Sequence, residues 1–509
     1  MPASIWGVLY DSEVNQLQNI RSDSTICKRS LGVIGGLGAI GSVDIFYKLV
    51  KLVAARGEGE NLDVIFEQHP FEEEPTPGAE NARTTARMLY VFDLIRQFEQ
   101  RKVDAVVIPC FISHTFLDEI KAEVGLPIIS MMEALRTHLS RRIPGERKLG
   151  ILTTDYVRKN ALFEKFLPSD EYSLLYPSAH AQEHGVMKGI YGPSGVRRGH
   201  VQGMAVDLLF QACEELLAAG AQVIVPGATE ISVVCDALRE RGVPILDVNQ
   251  IYAQFAVDGH GTAKARAFKV GIVGGVGPAA TVDFMNKIIS QTPGKRDQDH
   301  IKLVVEHNPQ IPDRTENLVA HGADPTVALY SACKRLESND ADIIAIPCNT
   351  AHAYVERIQS YLAIPIVNML YETMSHIRRR YGDDRIVGLL ATTGTVSSRV
   401  YHDVAAKENV SIIVPDGHHQ QKVMTSIYGP SGVKAGFISE TARRDLLDAM
   451  EHLVERGAEI IVLGCTELPL LQPQTDEAWI AGKEITILDP TAILAKRCVE
   501  LSGAGGGDR

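Results

Sequence analysis

The chain of 509 residues repeats itself, and that repeat constrains its fold more than any other feature. Val33-Ile34-Gly35-Gly36-Leu37-Gly38 returns as Ile272-Val273-Gly274-Gly275-Val276-Gly277. Ile108-Pro109-Cys110, followed by His114, returns as Ile346-Pro347-Cys348, followed by His352. The run Ile190-Tyr191-Gly192-Pro193-Ser194-Gly195-Val196 returns as Ile427-Tyr428-Gly429-Pro430-Ser431-Gly432-Val433. Gly227-Ala228-Thr229-Glu230 returns as Gly464-Cys465-Thr466-Glu467. The offset stays near about 240 residues throughout, as expected of two full-length copies with few insertions. We expect a polar lead-in over 1–28, a first copy over 29–262, a second over 263–501 and a Gly-rich tail over 502–509.

Within each copy, apolar runs alternate with segments of helical spacing. In the second copy strands are expected at 268–273, 301–306, 342–346, 365–367, 386–390, 411–414, 459–463 and 485–488. Helices are expected between them, among others at 281–290, 325–337, 351–360 and 441–456. Such alternation predicts an α/β fold with parallel sheets. Each copy is long enough for two lobes. The expected fold is a tandem duplication, each copy made of two parallel-sheet, three-layer α/β lobes with a cleft between them.

Two strands end on a cysteine. Asp342-Ile343-Ile344-Ala345-Ile346-Pro347-Cys348 is followed by Asn349 and Thr350, and Glu459-Ile460-Ile461-Val462-Leu463-Gly464-Cys465 by Thr466 and Glu467. Runs this apolar suit strands buried on both faces, and ligands bind beyond the carboxyl ends of such strands. An inert buried thiol is the commoner fate of a cysteine. Two at matching strand ends, each closely followed by threonine, point instead to chemistry. Opposed thiols suit stereoinversion: a thiolate removes a proton from one face of a carbon, and a thiol returns one to the other. A free thiol titrates near about 8.5, so the deprotonated partner needs a dipole or cation beside it.

Other function classes are excluded or weakened. A net charge of −12 without any Lys/Arg-rich run argues against nucleic acid as a partner. No apolar run approaches the ~20 residues of a membrane helix, and 1–28 lacks the features of a secretory signal. The eight cysteines are scattered with no C-x-x-C pair, which fits a reduced, cytoplasmic compartment. Gly36-Leu37-Gly38-Ala39-Ile40-Gly41 spells a dinucleotide fingerprint, but Pro278 and Ala280 break it in the second copy. A tight strand-to-helix turn, whose first helical amides hold an anionic group in the cleft, fits both copies. The pair His418-His419 alone is weak evidence for a metal, and none is expected.

Gly274 to Thr281, Asn308-Pro309-Gln310-Ile311-Pro312-Asp313-Arg314-Thr315, Pro347-Cys348-Asn349-Thr350-Ala351-His352, Leu389 to Thr395 and Gly464-Cys465-Thr466-Glu467 together resemble the aspartate/glutamate racemase superfamily. The second copy most resembles its aspartate racemase branch, over 268–500. The resemblance implies that Cys348 and Cys465 are the paired acid/base residues. It implies that Arg314 and Lys434 bind carboxylates, with Asn349, Thr350, Thr392 and Thr466 as polar groups around an amino acid. It implies no cofactor, pyridoxal phosphate included. Two cations select an acidic amino acid: aspartate first, with glutamate or a broader range as the alternative. A metabolite sensor that kept the pocket and lost turnover is the competing class. Tyr428 either reaches the substrate or packs, and His352 either polarises the site or makes a structural hydrogen bond.

The first copy departs from this pattern. It keeps Cys110, but Ala228 replaces the second thiol, Phe111-Ile112 replace Asn-Thr, Pro75 replaces the arginine, and Arg197 replaces the lysine. The loop Thr153-Thr154-Asp155-Tyr156 lacks the glycine of Thr392-Thr393-Gly394-Thr395. A two-base inversion cannot run through Cys110 and Ala228. We expect a folded, non-racemising copy, either an intrachain pseudo-dimer partner of the second or the holder of a different ligand; homo-oligomers are also compatible.

Overall fold

The computed structural model of the protein describes residues 29–55, 62–69, 71, 80–142, 148–259 and 267–503. The expected lead-in over 1–28, the acidic stretch 72–75 with its proline, the junction 260–266 and most of the Gly-rich tail lie outside them. The chain forms two compact units, 1–266 and 267–509.

In the first unit, β1 (Arg29–Ile34), α1 (Ala39–Ala55), β2 (Leu62–Glu67), α2 (Glu80–Gln100), β3 (Ala105–Val107) and β4 (Ile128–Ile129) give a sheet of order β2-β1-β3-β4. A second sheet, of order β6-β5-β7, comes from β5 (Lys148–Thr153), β6 (Ser173–Leu175) and β7 (Val223–Gly227). All pairings in both sheets are parallel. Helices α3 (Met204–Ala218) and α4 (Val248–Val257) are among those packed on them.

The second unit repeats the plan. Its first sheet, of order β9-β8-β10-β11, uses β8 (Lys269–Gly274), β9 (Lys302–His307), β10 (Ile343–Ala345) and β11 (Ile366–Val367). Helices α5 (Pro278–Gln291), α6 (Arg314–Ala320) and α7 (Thr326–Ser338) belong to this lobe, and α8 (Met369–Tyr381) follows. The second sheet, of order β13-β12-β14-β16-β15, uses β12 (Ile386–Ala391), β13 (Ser411–Ile413), β14 (Ile460–Gly464), β15 (Thr475–Ile480) and β16 (Lys483–Leu488). It carries α9 (Gly417–Tyr428) and α10 (Glu440–Glu455), and the chain closes with α11 (Pro490–Leu501).

Every strand expected in the second copy is present within a residue or two of its bounds, and β15 was not expected. It pairs antiparallel with β16, so this sheet is parallel only up to its edge. The run Thr475-Asp476-Glu477-Ala478-Trp479 has no apolar period, and Trp479 is 77% exposed, so nothing marked it as a strand. The turn that makes it one is Ala481-Gly482, both at positive φ (49° and 73°), the backbone that two-residue hairpins favour. The helix expected at 351–360 is split into a 3₁₀ turn, Thr350–Tyr354, and a short helix, Val355–Gln359.

The apolar runs alternate sides because strand side chains alternate. Ile344 and Ile346 pack with Leu329, Ala332 and Leu336 of α7. Ile343 and Ala345 pack with Phe284 and Ile288 of α5 and Leu494 and Cys498 of α11. Helices thus cover both faces, giving three layers. Ile461 and Leu463 face Val423 and Ile427 of α9 and Leu446 and Met450 of α10, while Ile460 and Val462 face Leu370, Met374 and Ile377 of α8.

Two details show how closely each unit follows the same plan. Lys48 on α1 meets Asp44 and Asp247, the N-cap of α4, each at 2.7 Å. Lys287 on α5 likewise meets Asp283 and Asp489, the N-cap of α11. The repeat offset falls from 238 at Gln182 and Gln420 (420 − 182) to 237 at Tyr191 and Tyr428 (428 − 191), and the step has a structural cause. Gln182 and Gln420 donate to equivalent strand-end carbonyls, of Thr153 and Ala391. The first copy then has one extra residue before Tyr191, absorbed by a π turn over Gln182–Met187. Replacing Lys287 by Met leaves Asp489, 2% exposed, without its cation, and should cost the second unit about 3 kcal/mol, read from its chemical denaturation midpoint.

Candidate active site

Cys348 continues the face of β10 that carries Ile344 and Ile346, and Cys465 follows β14 on the face that carries Ile461 and Leu463. The two cysteines belong to different sheets and different apolar cores, yet line one cleft. The structure brings all the expected residues to that cleft: Arg314, Cys348, Asn349, Thr350, Thr392, Lys434, Cys465 and Thr466. Val276, Thr315, Tyr428 and Glu467 line it too. Sequence reasoning gave Val276, Thr315 and Glu467 no role. The signal for Glu467 was its recurrence as Glu230 in the copy that lost the neighbouring thiol.

The two sulfurs have opposite neighbours. Arg314 opens α6, whose N-cap Asp313 accepts from Glu316 N at 2.9 Å. Arg314 is 6% exposed. Burial works against its charge, but Cys348 and Asp313 outweigh burial and raise its pKa above the usual arginine value. Cys465 lies 3.1 Å from Glu467 Oε2, to which its thiol donates. Burial and the Glu467 charge push the Cys465 pKa well up, against the smaller opposing pull of Lys434. One cysteine therefore faces a cation and the other a carboxylate, and burial with that carboxylate holds the proton on Cys465.

Lys434 lies 3.8 Å from Glu467 Oε1 and 4.6 Å from the centroid of the Tyr428 ring. Burial opposes its charge, but Glu467, Tyr428 and the two cysteines raise its pKa overall. Burial pushes Tyr428 up to about 12, so its hydroxyl keeps its proton and reaches Asp313 Oδ2 at 3.2 Å and Thr315 Oγ1 at 3.4 Å. The glycine loop serves Glu467. A Cβ built on Gly277, at φ +113° the N-cap of α5, would lie 2.7 Å from Glu467 Oε1. The anion at this helix start is thus one of the chain's own carboxylates, where negative charge is favoured.

Four hydroxyls lace the two lobes together. Thr315 and Thr350 come from the first lobe, Thr392 and Thr395 from the second, with oxygen separations of 2.8 to 3.2 Å among them. Three buried polar atoms of cleft residues have no hydrogen-bond partner among the described residues: Arg314 Nε, Asn349 Nδ2 and Glu467 Oε1. Two are donors and one an acceptor. An unpaired buried polar atom is costly, and a ligand carrying both carboxylate and ammonium has the complementary groups.

The sequence matches the Asp/Glu/Hydantoin racemase family twice, over 34–256 and 273–498. The chain belongs to the Asp/Glu/Hydantoin racemase family. Its members are isomerases that work without pyridoxal phosphate. The broad specificity amino-acid racemase RacX of Bacillus subtilis (strain 168) is 27% identical over 237 residues, 45% of this chain and 96% of that one. The glutamate racemase of Roseiflexus sp. (strain RS-1) is 30% identical over 35% of this chain and 63% of its own. Among solved structures, the Picrophilus torridus aspartate racemase is 31% identical, covers 46% of this chain and 94% of its own, and has a TM-score of 0.41. Among the described residues no helix is long and apolar enough to cross a membrane.

Comparing the two racemase-family copies separates site from scaffold. Asn349 Oδ1 accepts from Tyr401 at 2.5 Å in the second. In the first, Phe111 and Phe163 stand at both equivalent positions and stack at 5.8 Å. The pocket-loop cation absent from the first copy is matched by another: Arg87, on α2, donates to Cys110 Sγ at 3.1 Å. Arg197 lies over the Tyr191 ring, as Lys434 lies over Tyr428. Glu230 also remains, 6% exposed, against Gly38.

His352 is structural. Its Nδ1 bonds Cys348 O at 2.9 Å and its Nε2 accepts from Met369 N at 3.1 Å. His114 makes the same two bonds, to Cys110 O at 2.8 Å and from Met131 N at 2.9 Å, in the copy without a second thiol. Burial lowers both histidines to about 4, against about 6.5 in an unfolded chain. Between these values the unfolded chain binds more protons. Stability should therefore fall as pH drops from about 6.5 to about 4 and the histidine contribution level off below. Denaturation midpoints over this range should slope less in a His114→Asn/His352→Asn double variant than in the parent.

Proposed function

We propose that the second copy is a cofactor-independent, two-thiol racemase of an acidic amino acid, aspartate first among them. The observation that carries this reading is the pair of buried cysteines on one cleft, one beside Arg314 and the other hydrogen-bonded to Glu467. The cleft offers two cations, Arg314 and Lys434, to two carboxylates, and one carboxylate, Glu467, to an ammonium. In the forward direction Cys348 as thiolate takes the Cα proton, and the electron pair left on Cα is delocalised into the α-carboxylate, which a cation neutralises. Cys465 then gives its proton to the opposite face. The product leaves Cys348 as thiol and Cys465 as thiolate, and the reverse reaction uses that state. The name of the Roseiflexus relative makes glutamate the competing substrate. The first copy, with Ala228 at the second thiol's position, has no path for inversion and acts as a folded companion.

In heavy water the full-length protein should carry solvent deuterium into Cα of both aspartate enantiomers, followed by proton NMR. Cys348→Ser and Cys465→Ser should each lower racemisation by about 10²–10⁴-fold, the usual worth of a positioned acid or base, while Cys110→Ser leaves it unchanged. Absence of exchange with every acidic amino acid would remove the enzyme reading in favour of a sensor.

Glu467 holds the proton on Cys465. Removing its charge in Glu467→Gln should lower the Cys465 pKa. The direction that needs Cys465 as acid should then lose activity at lower pH than the parent on its alkaline limb. The opposite direction should gain activity at lower pH on its acid limb. Profiles of kcat against pH in both directions check this, and unchanged limbs would mean that Glu467 does not set the thiol.

A further inference from the structure

Away from the cleft, the N-terminal end of α9 and the face of α10 beside it bring together Asp416, His419 and His452. One ligand atom of each lies within 4.8 Å of the others. The His419 and His452 rings stack in parallel, 3.9 Å apart at 9°. Asp416 reaches both, with Oδ1 at 2.7 Å from His419 Nδ1 and Oδ2 at 3.6 Å from His452 Nε2. All three sit on fixed backbone, since Asp416 is the N-cap of α9 and His452 lies on α10.

The first copy shows that the scaffold does not require these residue types. Its helix begins at the same place with N-cap Ser178, which is joined to α3 by Glu215 through Ser178 N (2.6 Å) and Oγ (3.2 Å). Serine, alanine (Ala181) and glutamate there stand where the second copy has aspartate, histidine and histidine. One copy closes this corner with a plain cap; the other has filled it with three ligating side chains.

We propose that Asp416, His419 and His452 bind a borderline divalent transition cation of the zinc, nickel and cobalt class. Two imidazoles and a carboxylate suit those ions and not magnesium or calcium, which take oxygen ligands. Ligand atoms bind such ions at about 2.0–2.2 Å, so the cluster contracts slightly around the ion, and an open position remains for water. Asp448 Oδ2 lies 3.7 Å from His419 Nε2. It is placed to take the second ring proton once Nδ1 ligates, the carboxylate–histidine–metal arrangement that orients such ligands. Lys422 pairs with that same carboxylate. Arg456 opposes the site: its Nη1 is 3.5 Å from His452 Nε2 and 2.7 Å from Val414 O. Asp416 N also donates to His452 Nε2 at 3.4 Å, a bond the metal replaces. His418 faces the His419 ring edge-on, 5.2 Å away.

The test is a calorimetric titration of full-length, tag-free, chelator-treated protein with zinc chloride. The protein carries Cys348→Ser and Cys465→Ser so that the cleft thiols do not compete. The expected result is one saturable equivalent of zinc, and none of magnesium. Grafting the first copy's solution, Asp416→Ser with His419→Ala and His452→Glu, should abolish it, and the single variant His452→Gln should do the same. Asp448→Asn should weaken binding by about tenfold or more, and Arg456→Ala should tighten it. No saturable zinc binding in the parent, or unaltered binding in the graft or in His452→Gln, overturns the proposal.

Discussion

Two like groups can perform unlike tasks only if their surroundings differ, and the cleft depends on that difference. Cys348 stands beside the Arg314 guanidinium, while Cys465 donates to Glu467, whose charge adds to burial in keeping that thiol protonated. The proposed inversion uses that difference, since it needs a base on one face of the carbon and an acid on the other. The bias has a backbone requirement. Glu467 is 4% exposed and stands where a side chain on Gly277 would be. One glycine of the loop is therefore required by a carboxylate of the same chain, Gly277 by Glu467 and Gly38 by Glu230, while Gly36 and Gly41 of the first copy are held close to His69 O and Thr229.

The sulfurs come from separate sheets, so their relation depends on how the lobes of the second unit are held. The hydroxyls of Thr315, Thr350, Thr392 and Thr395 form the link. Each hydroxyl has one donor and two acceptor positions, so a four-membered cluster can satisfy itself without water. Networks of this kind are strong when complete and costly when broken. Tyr428 extends the link by bonding Thr315, and its ring carries Lys434. Binding residues and lobe contacts are thus largely the same residues.

The fold was legible because continuous apolar runs, turn glycines and a long repeat all agreed. What escaped, β15, is exposed and polar, formed by a hairpin turn and not by burial. The lining residues were legible from strand ends and loop motifs, since a residue just past a buried strand has few places to go. The electrostatic neighbours were not. Glu467 follows Cys465 by two positions, and nothing in that spacing says that its carboxylate turns back to the sulfur. Arg87 is further out of reach: it is remote from Cys110 in sequence and takes up a contact that the loop arginine has in the other copy. The histidine pair was read as isolated because the ring that stacks on His419, that of His452, comes from a different helix.

The duplication works as an internal control on these assignments. Losing one partner of the Asn349–Tyr401 bond would strand a buried polar group at a cost of about 1–3 kcal/mol. The first copy has lost both, and two phenyl rings, 2% and 0% exposed, fill the space. The two copies thus differ here in a matched pair, and each fills the same space. Residues that stayed the same then need a structural reason, and His114 has one, with both ring nitrogens bonded as in His352. Of the residues confined to the second copy, Cys465 lines the cleft, and Asn349 divides its amide between the scaffold, where Oδ1 accepts from Tyr401, and the cleft, where Nδ2 has no partner among the described residues.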